Sequence, residues 1–418
     1  SPAFGRWRWR AAQAASGLGG PPPGAALRDH EAARPASVMQ LSATGWLHRL
    51  PVRIELLVGG SLPGPDTPGV ARPMDVSLDA SVGTAALNFD GQLRDPHTLD
   101  QLTGRFKLRG PSLAAVGDTV GVTLPSTAAF STEGVVTRQG SHWKVSVADA
   151  RIGVSRLSGE FVYEPVAGVP MLRGRLAGAR LHLADLGPAI GTTALLPGPR
   201  VQRGSADPAL APVVAPGRVL PDRDFDLAAL RVMDADVAVA VAEVDVGAGL
   251  LEPARPVRAR LLLQGGVLKL RDIDARLGYG RLRGELQLDG RGPTALMATR
   301  LRWDGVSLDH WIHQHPADGA APYVSGHLSG SASLTGQGGS TAEILASLNG
   351  SARTELRGGS VSHLAVEVAG LDLATSLGLL ISGDKRLPIR CAVADLVAVD
   401  GVFRPRMMVF DTRASAIW

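Results

Sequence analysis

Apolar and polar residues alternate with a period of two along many short segments of this chain. Across residues 281–289, leucine or glycine stands at every even position and a charged or amide residue at every odd position. Residues 105–109, 143–147, 156–164 and 300–304 follow the same pattern. Successive side chains of a β-strand point to opposite faces, so the pattern predicts strands with one apolar and one solvated face. Antiparallel sheets are built from such strands.

The composition favours short strands joined by turns. The 418 residues include 51 glycines and 29 prolines, residue types that interrupt helices and populate turns. A chain of this length is too long for one compact core, so we expect several units or one elongated array. The predicted fold class is therefore mainly β, with a few short helices.

An internal repeat underlies the strands. Residues 149–160 align without a gap with residues 274–285, at an offset of 274 − 149 = 125. A looser third copy covers residues 79–93. A Leu-rich segment follows each copy, at residues 112–114, 183–186 and 307–309. The repeated unit is thus several strands followed by a short turn or helix.

Segments rich in proline, glycine and alanine divide the chain. Residues 1–40 have low complexity, and we expect them to be disordered. Residues 191–221 form a predicted linker. An N-terminal β-repeat region, 41–190, and a C-terminal β-region, 222–418, are therefore predicted on either side of that linker.

Two segments of the C-terminal region predict short helices. Ser340 and Glu343 form a capping box that opens a helix at about 340–348, which Asn349-Gly350 ends. Residues 371–381 predict a second, more apolar helix, which is too short to span a bilayer.

The charge pattern argues against nucleic-acid binding. The net charge is +4, and its arginines are interleaved with acidic residues along the strands. A nucleic-acid surface has a basic stripe with aromatic residues, and only Arg6–Arg10 has that composition. Cys391 is the single cysteine, which excludes an internal disulfide and a cysteine-based zinc site.

No group of residues has the spacing of a catalytic or cofactor site. His310, His313 and His315 lie close together but lack a helical i, i+4 pair, so a solvated loop is the simpler interpretation. The glycines of 336–339 precede the capping box without the lysine of a phosphate-binding loop, which indicates a turn. We therefore predict no catalytic residue, no metal site, no cofactor and no enzymatic activity.

The apolar face of the predicted strands needs a cover. It could pack inside a β-sandwich or β-helix with a filled core, or it could line an open, curved sheet whose groove holds acyl chains. The alternation itself does not separate these two possibilities. The candidate groove residues are Phe106, Leu108, Trp143, Val145, Leu157, Phe161, Leu181, Leu282, Leu286, Leu288, Leu301 and Trp303.

Several motifs resemble the AsmA family of Gram-negative bacteria. Residues 104–125 and 151–187 are similar to its strand repeats. Residues 225–237, with Phe-Asp-Leu followed by Asp-Ala-Asp-Val, resemble one of its strands. Residues 370–391, with Gly-Leu-Asp-Leu, Gly-Asp-Lys and Pro-Ile-Arg-Cys, resemble its C-terminal signature. The resemblance covers about 75–418.

The resemblance implies an elongated antiparallel β-sheet curved into a groove, without catalytic residues. It also implies a periplasmic protein of outer-membrane biogenesis that carries phospholipid or another acyl lipid between the two membranes. The family is anchored in the inner membrane by an N-terminal helix, which we expect to lie outside this chain. A non-catalytic scaffold that binds envelope proteins along its strand edges is the alternative.

Overall fold

The computed structural model describes a large part of the chain as strands of a single sheet. It describes residues 8–11, 38–47, 50–59, 73–94, 100–120, 126–165, 168–186, 225, 227–247, 251–314, 322–362, 387–412 and 416–417. The first ten strands are β1 (Arg8–Ala11), β2 (Val38–Leu47), β3 (Leu50–Gly59), β4 (Met74–Val82), β5 (Ala85–Leu93), β6 (Leu102–Gly110), β7 (Phe130–Gln139), β8 (His142–Ile152), β9 (Ser155–Glu164) and β10 (Met171–His182). The others are β11 (Asp234–Val241), β12 (Val244–Asp245), β13 (Val257–Gln264), β14 (Val267–Leu277), β15 (Gly280–Asp289), β16 (Ala295–Ser307), β17 (Val324–Gly338), β18 (Asn349–Val361), β19 (Leu387–Val399), β20 (Val402–Thr412) and β21 (Ala416–Ile417).

Nearly every strand pairs with the next strand in the chain, in antiparallel orientation. The exception is β10, which pairs in parallel with β11 and, further along, with β12. β11 then pairs with β13, and the antiparallel order resumes. The predicted fold class is confirmed, because the 21 strands form one long, open, curved sheet. Strands from 41–190 and from 222–418 therefore share this sheet, joined by the parallel pair β10–β11.

Tight turns and bulges shape the sheet. Gly265 and Gly266 both have positive φ and join β13 to β14 in a two-residue loop, as a Gly-Gly hairpin favours. The pairing register shifts within β8, β14 and β16. Such bulges bend a strand and increase its twist, so they contribute to the curvature of the sheet.

Short helices lie at the two ends of the strands. We call the end that carries the β8–β9 turn the first rim, and the end that carries the β7–β8 turn the second rim. At the first rim are α1 (Leu113–Val120), the 3₁₀ turn Leu183–Leu186 and α2 (Leu308–Trp311). At the second rim are the 3₁₀ turn Ala229–Arg231 and α3 (Thr341–Ala346).

Two small apolar clusters mark these rims. The first contains Val116 of α1 together with Phe130, Ile152 and Leu157. The second contains Ile344 of α3 together with Leu227 and Ala295. The buried core of the described residues is therefore divided between the rims, because a single sheet has no second layer to enclose one continuous core.

The predicted helix at 340–348 is present as α3. The Oγ of Ser340 accepts a hydrogen bond from the N–H of Glu343 at 3.2 Å, as a capping box requires. The carboxylate of Glu343 accepts a hydrogen bond from the N–H of Gly339 at 2.6 Å. The predicted helix at 371–381 and the predicted linker at 191–221 lie outside the described residues. Strand β1 lies within 1–40, where composition predicted disorder, and it pairs with β2.

Candidate functional site

One face of the sheet is apolar from β2 to β20. Residues directly paired across neighbouring strands lie on the same face, so the register defines each face throughout the sheet. We call the face that carries Leu282 and all residues in register with it the apolar face, and the opposite face the polar face. One row of the apolar face contains Val136, Val145, Phe161, Gly174, Val237, Leu261, Leu270, Leu286, Thr299, Leu334, Gly350 and Ala398.

All twelve candidate groove residues lie on the apolar face, but their surroundings differ. Leu157 is buried in the first apolar cluster at 7% exposure. Leu108 and Leu181 pack against that cluster, and Leu288 packs against the second. The remaining candidates are partly exposed away from both clusters: Phe106, Trp143, Val145, Phe161, Leu282, Leu286, Leu301 and Trp303.

The middle of the apolar face is a single layer within the described residues. The principal contacts of each strand are with its neighbours in the sheet, and the helices contact strands only near the rims. Val239, Leu261 and Leu286 are accordingly half-buried rather than enclosed. The described strands form no β-sandwich, and no described helix or second sheet covers this part of the face.

Aromatic rings occupy the space above several glycines of this face. A Cβ atom at Gly174 would lie 2.6 Å from Cδ1 of Phe161, and one at Gly330 would lie 2.7 Å from Cζ2 of Trp303. The rings therefore fill the room that these glycines leave. A larger residue at either glycine would displace the ring beside it.

Several acidic residues of the polar face form ion pairs with arginines of adjacent strands. Glu160 pairs with Arg175 at 3.1 Å, and Glu285 pairs with Arg300 at 2.8 Å. The side-chain hydrogen bond from Arg260 holds the pKa of Asp236 below its ordinary value. A carboxylate held in this way is a poor proton acceptor.

A depression of about 930 Å³ opens on the polar face and crosses β7 to β14. Small residues, among them Ser158, Ala177 and Ala240, line it, and Arg175 and Arg260 stand at its sides. This depression lies on the polar face, opposite the candidate groove residues.

Two of the three clustered histidines have partners within the protein. Nδ1 of His310 lies 2.9 Å from the Oγ of Ser307 and 3.0 Å from a carboxylate oxygen of Asp309. His313 forms an ion pair with Glu252. In the ranges that the structure describes, no three histidine, cysteine or acidic side chains are placed to hold a metal ion. His315 lies outside those ranges.

Two residues that the sequence interpretation did not single out stand out in the structure. Arg138 lies on the apolar face beside Trp143, and Asp185 is a buried carboxylate at the first rim. Arg138 stands two residues after Val136 on β7, so continuing the alternation along this strand would have placed it on the apolar face. No local pattern marks Asp185, because its partners lie about 30 residues earlier in the chain.

Comparison with known proteins identifies the family. The family model described as the AsmA family matches residues 69–408. The chain belongs to the AsmA family. The AsmA family protein YhjG of Escherichia coli (strain K12) is 30% identical to it over 359 residues, which are 84% of this chain and 51% of YhjG. The chain therefore spans about half the length of that AsmA relative. No solved structure matches the chain.

Membership of the AsmA family supports a function in the envelope of Gram-negative bacteria. The helices of the described residues include none that is both long and apolar enough to cross a membrane.

Proposed function

We propose that this AsmA-family protein carries the acyl chains of phospholipids along its apolar face, in the periplasm between the inner and outer membranes. The observation that supports the proposal most directly is the half-buried middle of that face. It is apolar over successive strands, and no second sheet lies on it among the described residues. An apolar surface of this size favours contact with a membrane, a lipid or another protein over contact with water.

The energetics suit a carrier. Each methylene buried from water contributes about 0.8 kcal/mol, so roughly a dozen methylenes would contribute about 10 kcal/mol and keep a lipid out of water. Contacts of this kind are not directional, so a chain could move along the face without losing a specific bond. The proposed role requires a surface and no chemistry.

One substitution on each face tests the proposal. Leu286 lies in the middle of the apolar face on β15, and Leu296 lies on the polar face of the adjacent β16, 52% exposed. Leu286→Asp should strongly reduce the phospholipid that is extracted with the purified protein and measured by mass spectrometry. Leu296→Asp, the matched control, should leave the lipid content unchanged. The circular dichroism of both variants should match that of the wild type, because neither site lies in an apolar cluster.

Two outcomes would overturn the proposal. If Leu286→Asp unfolds the protein while Leu296→Asp does not, the apolar face is an internal core. If the wild-type protein carries no phospholipid but binds an envelope protein, the scaffold alternative is correct.

A further inference from the structure

The apolar face carries one charged residue at its paired positions. At all the remaining paired positions of this face, from β2 to β20, the residues are aliphatic, aromatic, small or hydroxylic. The exception is Arg138 on β7, which lies in register between Leu102 on β6 and Trp143 on β8. A long cationic side chain can cross an apolar surface when its charged end reaches water or a partner. The surroundings of the Arg138 guanidinium therefore decide what it can bind.

The fold holds the guanidinium of Arg138 at the second rim. Its central carbon lies 5.0 Å from the centroid of the Trp143 ring, within cation–π distance. Its Nε donates a hydrogen bond to the carbonyl oxygen of Gly140 at 3.0 Å. The N–H of Gly140 donates in turn to the carboxylate of Asp100, which fixes the β7–β8 turn. The aliphatic stem thus starts from the apolar face, and the charged end lies at the boundary with water.

Most of the hydrogen-bonding capacity of this guanidinium is unused. A guanidinium has five N–H donors, and within the described residues only Nε of Arg138 has an acceptor. In the same ranges Arg138 forms no ion pair with a carboxylate, unlike Arg175 or Arg260 on the polar face. The two terminal nitrogens keep four N–H groups, and such a pair of groups binds a phosphate in a bidentate manner.

The second rim around Arg138 is open within the described residues. The helices of the first cluster lie at the other rim, and the second cluster lies around β15 and β16. Tyr163 follows Trp143 in the same row of the apolar face. A guanidinium, an indole and a phenol thus stand on three adjacent strands in one row, where an apolar surface reaches water. This set of side chains is typical of sites that contact the interfacial region of a lipid.

We propose that Arg138, together with Trp143 and Tyr163, binds the phosphate of a lipid headgroup while the acyl chains lie on the apolar face. This inference rests on the proposed function and adds the residues that hold the headgroup of the phospholipid. It also assigns the headgroup to the second rim of the N-terminal half of the sheet.

A comparison of two lipids tests the site in the full chain. The probes are phosphatidylglycerol and diacylglycerol with identical acyl chains, each with the same fluorescent label. Arg138→Met should weaken binding of phosphatidylglycerol about tenfold, since a hydrogen-bonded charge of this kind contributes roughly 1.5 kcal/mol or more. Binding of diacylglycerol should change less than about twofold. Arg105→Met, which removes an exposed arginine from the polar face of β6, is the matched control and should alter neither affinity.

The outcomes separate the two proposals. If the wild-type protein binds neither lipid, the carrier function and the headgroup site both fail. If it binds both lipids and Arg138→Met changes neither affinity, the apolar face still carries acyl chains but the phosphate site is wrong. Equal losses for both lipids would assign Arg138 to the stability of the rim and also overturn the site. Displacement of phosphatidylglycerol by low millimolar inorganic phosphate would assign a free-anion site instead of a lipid headgroup site.

Discussion

The two copies of the repeat build the same hairpin but attach their helical turns in different ways. In the first copy, residues 149–186, β8 and β9 are followed by the 3₁₀ turn Leu183–Leu186. In the second copy, residues 274–311, β14 and β15 are followed by α2, which begins at Leu308. The offset of the copies is preserved at the start of the helical turns, since 308 − 183 = 125.

The first copy closes on a buried carboxylate. Oδ2 of Asp185 accepts hydrogen bonds from the N–H of Val154 at 3.0 Å, the N–H of Ser155 at 2.9 Å and the hydroxyl of Ser155 at 2.6 Å. Asp185 is 8% exposed and Ser155 is fully buried. The hydroxyl oxygen of Ser155 also accepts from the N–H of His182, so the turn, the strand end and the helical turn form one network.

The second copy replaces both partners of that network. Gly280 stands in place of Ser155, and His310 stands in place of Asp185, since 280 − 155 and 310 − 185 both equal 125. The imidazole of His310 packs edge-on against Tyr279 at 4.7 Å between ring centroids. Its side chain is 52% exposed. The comparison teaches that a rim contact buried in one copy can be a surface contact in the other, although the strands keep the same pattern.

The largest difference between the copies should appear when the contact of each helical turn is removed. Asp185→Ala leaves three donors without an acceptor in a buried site, so it should lower the free energy of unfolding by about 4 kcal/mol. His310→Ala removes the ring contact with Tyr279 and a hydrogen bond to Ser307 from an exposed side chain, and it should cost about 1 kcal/mol. Urea denaturation of both variants measures the two losses in the free energy of unfolding.

A double-mutant cycle sharpens this result. Ser155→Gly introduced together with Asp185→Ala should cost much less than the sum of the two single changes, because both residues serve one network. Equal costs for Asp185→Ala and His310→Ala would contradict the distinction between a buried and a surface contact.

An intermediate difference is expected at the equivalent leucines of the two hairpins, Leu157 and Leu282. Leu157 is buried in the first apolar cluster, so Leu157→Ala should lower the free energy of unfolding by about 3 kcal/mol. Leu282 is partly exposed on the apolar face, and Leu282→Ala should cost about 1 kcal/mol because it leaves no closed cavity. Thermal unfolding of the two variants measures how much stability each change removes. A larger loss for Leu282→Ala would place that residue in a core.

The smallest difference concerns an ion pair that the copies do not share. In the second copy Arg281 binds Asp274 through two hydrogen bonds, one of them from Nε to Oδ1 at 2.6 Å. The hydrogen bond from Arg281 holds the pKa of Asp274 below its ordinary value of about 3.9. Arg281→Met should therefore raise the pKa of Asp274 towards that value, as an NMR titration of the carboxyl group would detect.

The sign of the accompanying pH effect follows from linkage. A carboxyl group whose pKa is lowered in the folded state stabilises the fold above its unfolded pKa, and this contribution is lost as the pH falls through the folded value. Arg281→Met should thus flatten the loss of stability below about pH 4. Arg156→Met is the control at the equivalent position of the first copy. It removes no carboxylate pair there, because Asp149 pairs with Arg151, and it should leave the slope unchanged.

The sequence predicted the strands and their faces well because alternation is a local property of the chain. All twelve candidate residues were assigned to one face, and the structure places them there. The sequence did not predict that Leu157 is enclosed while Leu282, at the same position of the repeat, is partly exposed. That difference depends on α1, which follows the looser third copy and whose Val116 belongs to the cluster around Leu157.

The sequence by itself determined the amphipathic strands, the repeat at an offset of 125, the capped helix α3 and the resemblance to the AsmA family. Only the tertiary structure decided that β10 and β11 join the two halves in parallel. It also decided that Asp185 meets Ser155 and that the guanidinium of Arg138 lies over the ring of Trp143. The physical reason is the distance along the chain over which each effect acts. The alternation that forms a strand acts between adjacent residues, whereas burial, ion pairing and register depend on segments that meet only in the folded sheet.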